Sequence, residues 1–190
     1  MARTPSTMMP LGTPMPTFDL PDTHGRSVSN GDCRKKGALV MFLSNHCPFV
    51  IHLKPQLSTL ARGYHHKIDI FGIMSNDTHA YPADAPGKMR EDAKAFDYVF
   101  PYLFDEDQSV AQAFQAACTP DFFLFDSSGA LFYRGQFDDS RPGNDIEVTG
   151  NDLRIAIDAL LADAPAPTQQ RPSLGCNIKW KPGNAPEYFG

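Results

Sequence analysis

Blocks of like charge, long apolar runs and a dense cysteine framework are all missing from this chain, and each absence removes a class of function. Its 17 basic and 22 acidic side chains give a net charge of −5 and are spread without a basic cluster, so neither nucleic acid nor an anionic membrane surface is an expected partner. The longest apolar run, Ala38 to Leu43, falls far short of the roughly 20 residues that a membrane-spanning helix needs. Residues 1–17 hold four prolines and no continuous apolar core. They do not read as a secretory signal, and a cytoplasmic address is expected. Four cysteines in 190 residues are too sparse for a disulfide scaffold and lack the paired spacings of a zinc site. Glycine-rich phosphate loops and a Gly-x-Ser-x-Gly elbow are absent too. None of His24, His52, His65, His66 and His79 stands at metal spacing from a cysteine or carboxylate. No metal and no bound cofactor are expected.

What is there suits one globular domain, with 42% hydrophobic and 21% charged residues. Thr17 to Val28 alternates apolar and polar residues around Asp22-Thr23-His24-Gly25, which predicts a small hairpin at the edge of a main sheet. Ala38 to Leu43 is a central strand buried on both faces. From Cys47 to Tyr64, Phe49, Val50, Leu53, Leu57, Leu60 and Ala61 recur at helical spacing, with Pro48 in the first turn and Pro55 placed to kink the helix. Ile68 to Met74 returns to strand, completing a βαβ unit and hence a right-handed parallel crossover.

Further helices are expected over Ala85 to Tyr98, Asp107 to Ala116 and Asp152 to Leu161, with a brief strand within Phe100 to Phe104. Asp121 to Phe125, the turn Asp126-Ser127-Ser128-Gly129 and Ala130 to Gly135 spell a β-hairpin. Beyond Asp163 the chain turns polar and proline-rich. The expected division is an N-terminal arm (1–16), one domain (17–163) and a tail (164–190) that wraps its surface, with the chain's single tryptophan, Trp180, marking a docked segment.

The chemistry centres on Ser44-Asn45-His46-Cys47-Pro48. Cys47 follows a buried strand and opens a helix, so unpaired backbone N–H groups and the positive end of the helix dipole favour its thiolate, the reactive form. Pro48 presets the first turn at the loss of one N–H. His46 adds positive charge or points to solvent. A buried structural cysteine is the bland alternative.

Several segments together resemble the thioredoxin-like superfamily, in its AhpC/TSA (redoxin) and thiol–disulfide oxidoreductase branch. They are Phe42 to Val50, Phe100 to Asp105, Cys118-Thr119-Pro120-Asp121-Phe122-Phe123, Arg134-Gly135 with Asp138 to Pro142, and Gly175 to Trp180. The resemblance implies an α/β thioredoxin fold, a mixed parallel and antiparallel sheet flanked by helices, extended here by the N-terminal hairpin and the C-terminal tail. It also implies that Thr119-Pro120 is a cis-proline loop facing the active-site helix and presenting backbone to a substrate's sulfur. A cis X–Pro bond costs only about 0.5–1 kcal/mol relative to trans; an ordinary trans turn is the alternative.

The branch pattern is Cys-x-x-Cys, and Ser44 stands where its first cysteine would be. Ser44 and Cys47 alone cannot run a dithiol cycle. Three explanations stay open. In a peroxiredoxin-like or monothiol enzyme the Ser44 hydroxyl bonds the Cys47 thiolate or a bound peroxide, Cys47 passes through a sulfenic acid, and Arg134 or Arg141 supplies the stabilising cation. In a dithiol enzyme a distant cysteine resolves Cys47: Cys118, beside the cis-proline, is preferred to Cys176 on the tail. Alternatively, Ser44 is itself a substitution for cysteine. Asp121 could accept a proton near the sulfur or simply start a strand. Asp105 is expected to cap a helix, and Asp138 to Arg141 to form a surface charge cluster rather than a cation loop. Cys33 precedes Arg34-Lys35-Lys36, which could lower its pKa, but an inconsequential loop thiol is the better reading.

The expected function is oxidoreduction of protein disulfides or hydroperoxides through Cys47, with electrons from an external thiol of thioredoxin or glutathione type. The rival is a redox-inactive binding module that holds a peptide on its cis-proline face.

Overall fold

A computed structural model describes residues 3–189. In chain order it contains β1 (Thr4–Pro5), β2 (Asp19–Pro21), β3 (Ser27–Ser29), β4 (Gly37–Phe42), α1 (Pro48–Tyr64), β5 (Asp69–Met74), α2 (Pro86–Ala95), β6 (Tyr102–Phe104), α3 (Ser109–Ala113), β7 (Cys118–Thr119), β8 (Asp121–Asp126), β9 (Leu131–Tyr133), α4 (Asn151–Leu161) and β10 (Leu174–Asn177). The main sheet has the order β6-β5-β4-β8-β9. Its β4–β5 and β5–β6 pairs are parallel, whereas β8 runs antiparallel to β4 and β9 antiparallel to β8. This is the mixed sheet that the resemblance implies.

Period-two alternation splits the core into two layers. Leu39, Met41, Leu43, Phe122 and Leu124 face one cluster with the apolar stripes of α1 and α4 and with Cys47. Val40, Phe42, Phe123 and Phe125 face a second cluster that holds Phe18, Val110, Phe114 and Ile178. Every apolar position assigned to the stripe of α1 is buried. The helix runs unbroken through Pro55: Ile51, whose carbonyl would meet the missing N–H of Pro55, lies on the exposed side of the helix, where water can serve it.

Some expected elements are shorter or lie elsewhere. The second helix stops at Ala95, because Asp97 takes the left-handed conformation (φ 52°). The third is trimmed at both ends by Gln108 (φ 67°) and Gln115 (φ 50°). The N-terminal hairpin, β2 with β3, forms its own two-stranded sheet at the edge of the main one: among the described residues one bridge joins Asp22 to Leu103 on the edge strand β6, and Leu20 and Val28 pack into the cluster that holds Phe71 and Leu103. Among the described residues no helix is long and apolar enough to cross a membrane.

The segments outside the main sheet build a third sheet of order β1-β10-β7. Here the tail strand β10 lies between the N-terminal β1 and the two residues before Pro120, with Cys176 opposite Thr119 and Asn177 opposite Cys118. Beyond it, Ile178 N–H donates to Ala117 O, Lys179 N–H to Asn76 Oδ1 and Lys181 N–H to Gln108 Oε1, while Trp180 packs edge-on against Phe189.

Candidate active site

Strand β4 delivers the chain to the end of the sheet, where residues 44–46 turn it into α1. Cys47 is the N-cap of that helix: its carbonyl accepts from Ile51 N–H at 2.9 Å, and its own side chain makes no capping bond. The sulfur is therefore left for other partners. Its S–H donates to the carbonyl oxygen of Thr119 at 3.1 Å, across a Thr119–Pro120 peptide bond that is cis. Cys47 is 1% exposed.

The turn before it is held from several directions. Asn45 donates its N–H to Asp84 at 2.7 Å and its side-chain amide to Ala83 O, accepts from Tyr102 Oη at 3.1 Å, and is bonded at its carbonyl by Lys54 Nζ. Lys54 is buried and paired with Asp92 at 2.6 Å. Asp84, fully buried in the loop before α2, also accepts from Asn76 Nδ2 at 2.7 Å and Ser44 Oγ at 3.1 Å. His46 Nδ1 stands 2.8 Å from Asp84 Oδ2, and the imidazole stacks on Tyr81 with planes 4° apart. Ser44 thus turns its hydroxyl to Asp84 and the neighbouring His46 ring rather than to Cys47. Nothing in the local pattern marks Asp84, Asn76, Tyr102 or Lys54 as part of this site. Their meeting is a product of the tertiary fold.

The second sulfur at Cys47 comes from the tail. Register on β7 brings Cys176 opposite Thr119, the residue whose carbonyl receives the Cys47 S–H, which places the Cys176 thiol in the neighbourhood of Cys47. Burial, and then the neighbouring Cys47, push the Cys176 thiol up to about 12, so it stays protonated at neutral pH. All four cysteines are thiols. Cys118, the expected resolver, is fully buried with its S–H turned to Pro120 O at 3.5 Å, and burial followed by the nearby Asp121 raises its pKa well above the ordinary thiol value. Cys176 and Cys118 both lie near Cys47, Cys176 on the strand paired with Thr119 and Cys118 with its S–H turned to Pro120 O.

Asp121 belongs to the opposite layer. It is wholly buried, with Arg134 Nη2 3.8 Å away and Ala117 N–H at 3.4 Å, and burial outweighs the pull of Arg134 to raise its carboxyl to about 7. Arg134 stacks over Phe123 and bonds Thr7 and Gln115 O. Arg141 spends its guanidinium on Gln136 Oε1 and the carbonyls of Asp138 and Ser140. The described partners of Cys47 thus include neither arginine. Asp138 accepts from the amides of Ser140, Thr149 and Gly150 ahead of α4, which makes it a loop organiser. Asp105 bonds the amides of Val110 and Ala111 in the first turn of α3. At Cys33, burial first and then Asp69 push the thiol up to about 11 against the weaker effect of Arg34. Among the described residues no group of three potential metal ligands converges.

A family model described as Redoxin matches residues 10–153. The thiol-disulfide oxidoreductase YkuV of Bacillus subtilis (strain 168) is 25% identical over 129 residues, 65% of this chain and 83% of that protein. A crystal structure of an uncharacterized conserved protein from Geobacillus kaustophilus superposes with a TM-score of 0.94 at 47% identity, covering 96% of this chain and 98% of that one. A solution structure of a putative thioredoxin from Neisseria meningitidis gives a TM-score of 0.61 at 25% identity over 80% of this chain and 93% of its own. The fold is thioredoxin-like.

Proposed function

The chain belongs to the Redoxin family, and on that ground we propose that it is a thiol-dependent oxidoreductase in which Cys47 attacks a disulfide or hydroperoxide and Cys176 resolves the product. The observation that carries this reading is the pairing that sets Cys176 opposite Thr119, whose carbonyl receives the Cys47 S–H at the start of α1. It supplies the partner that Ser44, bonded to Asp84, does not.

With a disulfide R–S–S–R′, the Cys47 sulfur bonds one substrate sulfur and R′S⁻ leaves to take up a proton. Cys176 then loses its proton and attacks the Cys47 sulfur, forming the Cys47–Cys176 disulfide and releasing RSH. With a hydroperoxide ROOH, Cys47 takes one oxygen to become a sulfenic acid as ROH departs. Condensation with the Cys176 thiol then forms the same disulfide and releases water. Either way two electrons pass to the substrate, and an external thiol of thioredoxin or glutathione type restores the dithiol. Between the two sulfurs, Cys47 is the one at the start of a helix, which is the position of an attacking thiol. A reducing, cytoplasmic setting completes the proposal.

The test is the second-order rate of the reduced protein with oxidised glutathione and with hydrogen peroxide, beside Cys47→Ser. At least one rate should exceed that of free cysteine and fall at least a hundredfold in the variant. Rates no faster than free cysteine with both oxidants end the enzyme reading. Peptide mapping after oxidation should recover Cys47 linked to Cys176; linkage to Cys118 would transfer the resolving role.

A further inference from the structure

The backbone beside Cys47 is already paired. Thr119, whose carbonyl receives the Cys47 S–H, lies on β7, and β7 is hydrogen-bonded along its length to β10, with Cys176 opposite Thr119 and Asn177 opposite Cys118. An extended polypeptide that brought its own sulfur to Cys47 would have to add as a strand to such an edge, since main-chain pairing is how a sheet edge takes up a peptide. The tail fills that place with an antiparallel strand that carries Cys176 opposite Thr119.

This strand is built to stay. A Cβ on Gly175 would fall 2.0 Å from the carbonyl oxygen of Thr119, so glycine is what allows the tail to approach so closely. On its other side β10 pairs with β1, Thr4 opposite Gly175. Downstream, Ile178 is 1% exposed, and the Lys179 carbonyl accepts from both Asp77 N–H and Gln108 Nε2. Displacing β10 would break these bonds together. The surface that remains beside Pro120 is a narrow crevice lined by Phe49, His52, Ser140, Arg141 and Leu174 among others.

We infer that the tail strand β10 occupies the position a peptide substrate would need, so that the Cys47 centre acts on low-molecular-weight oxidants with a scissile S–S or O–O bond and excludes protein disulfides. The inference rests on the oxidoreductase reading above and names its substrate class. It also removes the face that a peptide-binding module would use.

The experiment compares single-turnover oxidation of the reduced protein by oxidised glutathione, by hydrogen peroxide and by native insulin, whose disulfides are borne on protein chains. At least one small oxidant should react a hundredfold or more faster than insulin, and Cys176→Ser, which keeps the strand but lacks the resolving thiol, should be captured by glutathione and not by insulin. Gly175→Val should push β10 off β7, raise the insulin rate at least tenfold and narrow the preference. If that variant fails to fold, the first two proteins still decide. Reaction with insulin within tenfold of the faster small oxidant, in the wild type or in Cys176→Ser, overturns the substrate class and leaves the oxidoreductase reading intact. Reaction with none of the three removes both.

Discussion

Asp84 and Asp121 are two carboxylates with no exposed surface, placed on either side of the cysteine centre, and their surroundings differ in kind. Asp84 meets four donors, from Ser44, Asn45, His46 and Asn76. Asp121 has one long bond from Ala117 and an arginine 3.8 Å away, and its Oδ1 finds no partner among the described residues, like Nε and Nη1 of Arg134. A buried carboxyl group surrounded by donors organises whatever donates to it. One that lacks donors instead holds its proton, which is why burial dominates at Asp121 and lifts it to about 7. The two carboxylates therefore divide the work. Asp84 sets the shape of the turn that presents Cys47, and Asp121 makes the opposite layer sensitive to pH.

The largest effect that sharpens this contrast is expected at Asp84. Asp84→Ala strips the acceptor from four groups, of which Ser44 and Asn76 are themselves buried, and unpaired buried donors are costly. Urea unfolding should show a loss of about 3 kcal/mol or more, and the His46 imidazole should lose the tautomer that an Nδ1–H bond to carboxylate imposes, visible in its ¹⁵N shifts. A loss under about 1 kcal/mol with unchanged His46 shifts would mean that Asp84 organises nothing.

Asp121 should act through pH instead. In the unfolded chain its carboxyl ionises near the ordinary value of about 4, whereas the folded one keeps its proton to about 7. Between those limits the folded state binds more protons than the unfolded state. The stability contributed by this group is thus fully present below about 4 and is lost as pH rises through about 7. Asp121→Asn should flatten the fall in unfolding free energy over that window, by on the order of a few kcal/mol in total. Parallel stability curves for wild type and variant would show that Asp121 is ionised throughout, and the contrast with Asp84 would collapse.

How much of this could be read beforehand follows the range of the interactions. The strand from Ala38, the helix from Cys47 and the hairpin around Asp126 were legible because their periodicities of 2 and 3.6 are local, and Cys47 stood out because strand end, helix start and proline coincide at one point. Helix ends were overextended at Tyr98 and Ala116, where Asp97 and Gln115 take positive φ that no proline or glycine announces. Asp84 was invisible: it lies in a proline-rich loop, and only the tertiary fold brings it under residues 44–46, forty positions earlier in the chain. The contrast between Cys118 and Cys176 was unreadable for the same reason. Proximity to Pro120 along the chain suggested Cys118, while the strand that approaches Cys47 comes from the tail.

The smallest effect belongs to Ser44, and it separates the two jobs its hydroxyl could do. If Ser44 serves Asp84, then Ser44→Ala removes one donor of four and leaves Asn45, His46 and Asn76 in place. The cost should be about 1 kcal/mol, the usual net worth of one hydrogen bond. The rate of Cys47 with its faster oxidant should change less than threefold, because the hydrogen bond of the cysteine to Thr119 O and the nearby strand that carries Cys176 are untouched. If the hydroxyl instead stabilises the reacting sulfur or a peroxide oxygen, the rate should fall tenfold or more while the unfolding midpoint hardly moves, since a bond made in the transition state is lost from the rate rather than from the fold. Stopped-flow rates and urea midpoints on the same variant distinguish these patterns. A rate loss without a stability loss would assign Ser44 to Cys47 and leave Asp84 with three donors to organise the turn.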